Sequence, residues 1–379
     1  MIPLRQPLRV LIADTSVALR RLIAGVLTEL QGVSVVDIAA TSELAIEQVV
    51  NTRPDVLVLD VNMDAVGVLE SLQAAPRFPA VVLLASGTPR DVAASLEAIE
   101  AGAADVVTKL PRGSLESVLR QWIRDELAPR ILAANPRRPE RGAVDSLFTE
   151  RARPGGGPRT PVIVPPQEEL ARVPPRHVIR IVAIGASTGG PKALAQILPA
   201  LPADFPVPIV VVQHMPAAFT GLLAARLSSV SRLEVVEATT GEALSAGRVY
   251  IAPGNQHLLV SGKPDSARSE LSSAPPENSC RPAVDVLFRS VGVVFGAASL
   301  GVVLTGMGQD GLLGATALRE RGARVLAQDE ATSIVWGMPG LVAKRGLAHK
   351  QVPLFRMAGE ICDEVLGPPR DQNARFSCL

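Results

Sequence analysis

The feature that most limits what this chain can fold into is a set of short apolar runs with no polar face. "LRVLIAD", "VSVVDIA", "DVLVLD", "AVVLLAS" and "ADVVTK" follow one another in the first third of the sequence. A strand wetted on one side alternates polar and apolar residues, whereas a strand covered on both faces does not. The runs are therefore predicted to be strands of a parallel sheet, and helical patterning fills the intervals at residues 17–30, 43–51, 67–74, 91–101 and 114–126. Five strand–helix units of this kind make a flavodoxin-like, doubly wound domain.

The pattern fails between residues 128 and 176, where "PRRPERG", "RARPGGGPRTP" and "VPPQEELARVPPR" read as an extended basic linker. It resumes at His177, with strands predicted at 178–184, 208–213, 233–236, 301–304 and 324–327. "GRVYIAPGNQHLLV" reads as a β-hairpin turning at Pro253-Gly254-Asn255, and the polar stretch 261–280 after it as a mobile surface insertion. The expected organisation is a first domain at 1–127, a linker at 128–176, a second doubly wound α/β domain with a hairpin at 177–368, and a tail at 369–379. A chain of 379 residues is long enough for two such cores.

Charge narrows the function classes. With 38 basic against 37 acidic residues the net charge is +1, without the basic excess of a nucleic-acid or membrane-surface protein. Three cysteines, Cys280, Cys362 and Cys378, are too few and too scattered for a disulfide framework and suit a reducing cytoplasm. The N-terminus reaches Asp14 too early for a secretory leader. Residues 290–309 carry no charge but hold five glycines, and they read as a helix end, a turn and a buried strand rather than a membrane span. A cytoplasmic protein with no membrane insertion and no nucleic-acid partner is expected.

Chemistry concentrates in the second domain. Gly185-Ala186-Ser187-Thr188-Gly189 fits G-x-S-x-G, the sharp strand-to-helix turn that presents a serine oxygen at a helix N-terminus. A glycine-rich phosphate cradle is the competing reading, weakened by the absence of G-x-G-x-x-G. A serine nucleophile needs a base. His214 ends the predicted strand "PIVVVQ", and carboxyl ends of neighbouring parallel strands share one crevice, so Ser187 and His214 are placed to meet. His257 is the second candidate, as base or substrate contact. Asp310, in the glycine-rich "LTGMGQDGLLG", is the favoured acid to orient the histidine, with a helix cap as its ordinary alternative and Asp329 as its rival. The chain order Ser, His, Asp differs from that of lipases and esterases of the α/β-hydrolase kind.

The motifs "IGASTGGPKAL", "VVQHMPAAFT", "VYIAPGNQHLLV", "RPAVDVLFRS", "GVVLTGMGQDG" and "AQDEATSIVWGMPG" resemble, in this order, the catalytic domain of the chemotaxis methylesterase family, CheB, from about residue 179 to 368. The resemblance implies Ser187 as nucleophile, His214 as general base and Asp310 as its orienting acid, with Thr188, Gly189 and Met307 lining the site. It implies hydrolysis of γ-glutamyl methyl esters on methyl-accepting chemoreceptors, deamidation of receptor glutamines in some members, and no cofactor for the hydrolysis. A signalling adaptor acting by partner binding is the reading of a different class.

Residues 8–125 resemble the receiver domain that precedes the esterase in that family. This implies Asp60 as phospho-acceptor, Lys109 as the lysine that meets the phosphoryl group, and Mg²⁺ held weakly by Asp14, Asp60 and Asn62. It also implies a histidine kinase as partner. The chain departs from the pattern at Thr15, which stands where the family has a second acid, and at Ala85, which stands where it has the switch Ser/Thr. Fewer carboxylates weaken a hard-cation site. Two readings follow: a receiver phosphorylated on Asp60, or a degenerate receiver serving as a docking or inhibitory module.

Overall fold

The computed structural model describes residues 6–73, 77–111, 113–134 and 177–367. The first domain runs β1 (Leu8–Ala13), α1 (Val17–Thr28), β2 (Val33–Ala39), α2 (Ser42–Thr52), β3 (Val56–Asp60), α3 (Ala65–Leu72), β4 (Ala80–Ala85), α4 (Pro89–Glu100), β5 (Asp105–Thr108) and α5 (Glu116–Trp122). Its sheet has five parallel strands in the order β2-β1-β3-β4-β5. The runs that lacked a polar face are the buried ones: every residue of β3 and all but the first of β4 are enclosed. Helix ends follow local chemistry, since Ser16, Thr41 and Thr88 each accept a backbone N–H at an N-terminus.

The predicted linker starts too early. A π-helical turn (Ile123–Leu127) carries α5 into α6 (Ala128–Ala133), and Leu127 and Ile131 pack in the core beneath β1 and β3. Three buried apolar residues outweigh the proline at position 129, which falls where the π-helical turn passes into α6. The remaining linker, 135–176, and the tail, 368–379, lie outside the described residues.

The second domain runs β6 (Ile181–Ala186), α7 (Gly190–Ile197), β7 (Ile209–Gln213), α8 (Ala217–Val230), β8 (Glu234–Glu237), β9 (Arg248–Ile251), β10 (His257–Ser261), β11 (Arg268–Ser272), α9 (Val284–Phe295), β12 (Ser299–Val303), α10 (Leu312–Glu320), β13 (Arg324–Gln328), α11 (Met338–Lys344), β14 (Lys350–Val352) and α12 (Leu354–Leu366). Seven strands form a parallel sheet in the order β14-β13-β12-β6-β7-β9-β8. Strand β6 begins three residues later than expected, because Val178 is 81% exposed. Among the described residues no helix is long and apolar enough to cross a membrane.

The expected hairpin about residues 253–255 does not form, and a different one does. The two halves of "GRVYIAPGNQHLLV" enter different sheets: β9 joins the parallel sheet, while β10 pairs antiparallel with β11. The partner strand lies inside the stretch expected to be a mobile insertion. Ser269, buried there, donates its hydroxyl to the Thr239 carbonyl, and Ser269 N–H bonds Glu242. Alternation in "RSELS" is a weak apolar signal, so polarity concealed a strand.

The two domains touch. Helix α4 packs against α8, and one hydrophobic cluster is continuous from Val92, Leu96 and Ile99 to Phe219, Leu223 and Leu227. At its edge Arg226 forms an ion pair with Glu100.

Candidate active site

Strands β12, β6 and β7 lie side by side at the centre of the seven-stranded sheet, and the site sits just past their carboxyl ends. The register pairs Ala186 with Gln213, so Ser187 and His214 are the next residues beyond a paired position. The chain after β6 turns into α7 with Gly189 at φ +78°, a conformation costly for any residue with a Cβ. Ser187 itself has no positive φ, so the strain that an α/β-hydrolase elbow places on its serine is borne here by the glycine two residues on. Gly306 makes the approach possible from the β12 side: a Cβ there would lie 2.7 Å from that of Ser187.

Hydrogen bonds hold the three loops together. Gln213 Nε2 donates to the carbonyls of Ser187 (2.9 Å) and His214 (3.1 Å). Ser187 N–H bonds the Thr305 carbonyl at 3.1 Å, and the Thr305 hydroxyl bonds the Thr188 carbonyl at 3.0 Å. Gln328 Oε1 accepts Thr305 N–H at 2.8 Å, tying in the next strand.

His214 and Asp310 meet, Nε2 to Oδ2 at 2.8 Å. Asp310 is nearly enclosed and accepts four further bonds: Val284 N–H (2.6 Å), Asp285 N–H (3.0 Å), Gly311 N–H (3.0 Å) and Asn278 Nδ2 (3.2 Å). Burial works against its charge, but the bond and charge of His214 and the N–H groups of Asp285 and Val284 outweigh it, so its carboxyl is held below the usual range. Burial also works against a charged His214. The Cys280 sulfur and the Asp310 carboxylate, one on each ring nitrogen, more than offset that and push its pKa up to about 10.

The other half of the constellation is adjacent without being bonded. Among the described residues no hydrogen bond joins the Ser187 hydroxyl to His214 or gives Thr188 N–H an acceptor. The ring nitrogen on the far side from Asp310 is Nδ1, and it faces Cys280 Sγ at 3.7 Å. Met307 is half-buried in the loop between β12 and Asp310.

Two alternatives from the sequence are displaced. His257 is buried with Nε2 on the Pro275 carbonyl (3.1 Å) and Nδ1 accepting Ala283 N–H (3.1 Å), so it is a neutral ring that fixes the 275–283 loop. Asp329 accepts the N–H and hydroxyl of Thr332, closing a local turn. Sequence reasoning missed Gln213, Asn278, Cys280 and Asp285. Asp285 accepts Gly314 N–H and Asn278 Nδ2 beside Asp310, and burial together with the Asp310 charge pushes its carboxyl up. The motif "RPAVD" was the available signal for it; the polar loop holding Asn278 and Cys280 offered none.

The first domain reaches into this site. Asp105, at the head of β5, accepts the Thr188 hydroxyl at 2.5 Å, and the Ala104 carbonyl accepts Gly189 N–H at 3.1 Å. Arg130 Nε lies 3.6 Å from the same Asp105 carboxylate.

The acid cluster lies at the other end of that sheet. Lys109 Nζ bridges Asp14 Oδ2 (2.6 Å) and Asp60 Oδ2 (2.9 Å), and Thr15 donates its hydroxyl to Asp60 at 3.3 Å. Asn62 donates N–H to Asp60 (3.1 Å) and Nδ2 to Asp91 (3.3 Å). Ser86 spends its hydroxyl on Asp91 at 2.5 Å, leaving Ala85 with nothing to offer. Asp14, Asp60 and the oxygens of Asn62 are the groups that would hold Mg²⁺, with Lys109 between the two carboxylates and Thr15 adding no charge.

A receiver-like domain docked on a parallel α/β domain, with serine, histidine and aspartate converging past its central strands, defines a receiver-coupled α/β hydrolase. Comparison with known proteins agrees. The CheB methylesterase model matches residues 182–361, and the response regulator receiver domain model matches residues 10–119. A protein-glutamate methylesterase/protein-glutamine glutaminase of Trichodesmium erythraeum is 42% identical over 362 residues, 94% of this chain and 99% of that one. The protein of that name from Nocardioides sp. is 42% identical over 359 residues, 93% of this chain and 94% of that one. The CheB methylesterase catalytic domain of Thermotoga maritima is a structural neighbour at 42% identity, spanning 49% of this chain and 98% of that one with a TM-score of 0.48. The chain belongs to the protein-glutamate methylesterase/protein-glutamine glutaminase family.

Proposed function

We propose that the protein hydrolyses γ-glutamyl methyl esters on methyl-accepting chemoreceptors, with Ser187 as nucleophile. The observation that carries this reading is the 2.8 Å His214–Asp310 pair set beside the serine turn. Ser187 Oγ attacks the ester carbonyl carbon while His214 takes the hydroxyl proton at Nδ1. The tetrahedral oxyanion is met by Thr188 N–H, and Met307 lines the same pocket. Collapse of the intermediate breaks the bond to the methoxy oxygen, which leaves as methanol with the proton from His214. Water, deprotonated by the same ring, then cleaves the acyl-enzyme and frees the glutamate carboxylate. Asp310 fixes the tautomer and balances the imidazolium. A glutamine side chain runs the same course with ammonia as leaving group, which accords with the names of the relatives.

The receiver acts as the brake. With Asp105 on Thr188 and Ala104 on Gly189 it occupies the serine turn, so hydrolysis requires the domains to part. We read the receiver as degenerate in phosphate control, because Thr15 and Ala85 remove an acid and a hydroxyl. Asp60 and Lys109 remain as its phospho-acceptor and lysine, with Mg²⁺ bound weakly at most by Asp14, Asp60 and Asn62. A chemosensory histidine kinase is the partner this domain suits, and the cytoplasm is where all these partners meet.

The test is methanol release from methylated receptor by the full chain, with Ser187→Ala as the blank. Release by the full chain alone supports the reading. If both proteins release methanol at the same rate, Ser187 is not the nucleophile. An adaptor is the better description if Ser187→Ala keeps the cellular role.

A further inference from the structure

The mechanism makes no use of Cys280, yet its sulfur faces the ring nitrogen that must receive the serine proton. The position is not accidental to the loop. Glu277 and Cys280 exchange backbone hydrogen bonds, and the two residues between them, Asn278 and Ser279, take left-handed φ values of 50° and 62°. Neither is glycine, so the surrounding structure enforces the turn that aims the thiol. Asn278 is held in turn by Asp285 and Asp310.

We propose that Cys280 and His214 form a site for a thiophilic divalent cation, Zn²⁺ by its ligand chemistry, and that its occupancy switches the hydrolase off. The Sγ–Nδ1 separation is 3.7 Å. A tetrahedral zinc with bonds of about 2.3 Å to sulfur and about 2.0 Å to nitrogen holds two such ligands about 3.5 Å apart. Asp310 stands on the opposite ring nitrogen at 2.8 Å, which is the carboxylate–imidazole–metal arrangement that fixes the tautomer and turns the free lone pair to the ion. One ligand atom from each of His214, Cys280 and Asp310 lies within 4.8 Å of the others. Cys280 is only partly covered, so a small ion can reach it.

The balance is simple. The ion takes the place of the Cys280 thiol proton, that proton goes to solvent, and binding strengthens as pH rises. The metal then holds the lone pair that accepts the Ser187 proton. The inhibitory half of this inference rests on His214 being the base; the binding half does not.

The experiment uses the full chain, metal-free and then titrated with Co²⁺ or Zn²⁺. Co²⁺ is expected to give a near-ultraviolet thiolate-to-metal charge-transfer band. Cys280→Ser should weaken binding at least tenfold, while Cys378→Ser leaves it unchanged. Zn²⁺ should suppress methanol release, a chelator should restore it, and Cys280→Ser should need at least tenfold more Zn²⁺ for the same fractional loss. Absence of the band, or a band indifferent to Cys280→Ser, overturns the site. A Cys280-dependent band with hydrolysis untouched by Zn²⁺ overturns the switch. A metal-free chain that never releases methanol counts against the hydrolase reading instead, because the binding arms are read without turnover.

Discussion

The molecule holds two polar clusters at the carboxyl ends of two parallel sheets, and they have fared differently. In the catalytic domain the acid and the base have partners that hold them: Asp310 accepts five bonds, and His214 is gripped on both nitrogens. In the receiver the same kind of crevice keeps Asp14, Asp60 and Lys109, yet Thr15 brings a hydroxyl donor and no charge beside Asp60, and Ala85 brings no hydroxyl. The histidine–aspartate half of the catalytic site is held by directional bonds made within the chain. A phospho-acceptor depends on a hard cation from outside, and one missing carboxylate alters the charge that recruits it. Preservation of three residues therefore means more in the first crevice than in the second.

The largest expected effect tests the first half of that comparison. Ser187→Ala should lower methanol release by at least about ten-thousandfold, because the other hydroxyl of the turn, that of Thr188, points to Asp105. Asp310→Asn should cost about a thousandfold to ten-thousandfold in kcat, since the amide presents N–H where His214 Nε2 needs an acceptor. Circular dichroism of that variant should stay native, and a rate within tenfold of the parent would show that Asp310 is a cap for Val284 and Asp285 and not an orienting acid.

These residues were legible because each stands where an apolar strand ends. Ser187 and His214 could be paired from strand order alone, before any geometry. The glycines around Asp310 favoured it over Asp329, and the two differ in environment: one collects buried N–H groups from a helix start far away in sequence, the other closes its own turn. The covering loop was not legible. Asn278 and Cys280 sit in polar, irregular sequence, and their meaning comes from a left-handed turn and from a buried His257 that reads as catalytic until its two backbone partners are seen. The docking of the receiver was equally hidden, since Asp105 looks like any residue at the head of a strand.

The junction between the two crevices comes next in size. Asp105→Ala removes the bond to Thr188, and Glu100→Ala removes the ion pair with Arg226. Each contact is worth about 1 kcal/mol, so each change should raise full-chain turnover roughly fivefold by favouring the parted domains. Neither should change a fragment that begins at His177. Equal rates for variant and parent would mean the docked arrangement does not limit turnover.

A pH profile sharpens the same picture. The raised pKa of His214 means its proton-accepting form fills on the alkaline side, so kcat/KM should climb with pH through and beyond neutrality. Cys280 on Nδ1 is among the causes that raise that pKa, so Cys280→Ala should move the rising limb to lower pH. A limb that stays in place would show that Asp310 alone sets the basicity.

The smallest effect is expected in the second crevice, and it is the most informative about control. Asp60 and the docking residues lie at opposite ends of one sheet: Lys109 meets Asp60 just past β5, and Asp105 meets Thr188 at its head. Four residues of extended chain span about 13 Å, so a phosphoryl signal must travel the length of β5 or through the helices beside it. In receivers of ordinary design a hydroxyl at the end of β4 would take up the phosphoryl oxygen and start that movement. Here Ser86 is committed to Asp91 and Ala85 has no hydroxyl. A small phosphodonor with Mg²⁺ should therefore change full-chain turnover by less than about twofold, and Asp60→Asn should leave it equally unmoved. Were the donor to raise the parent manyfold and Asp60→Asn to abolish the rise, Asp60 would be a working switch. Ser86 would then have to leave Asp91 to act, and Ser86→Ala would be expected to lose the response as completely as Asp60→Asn.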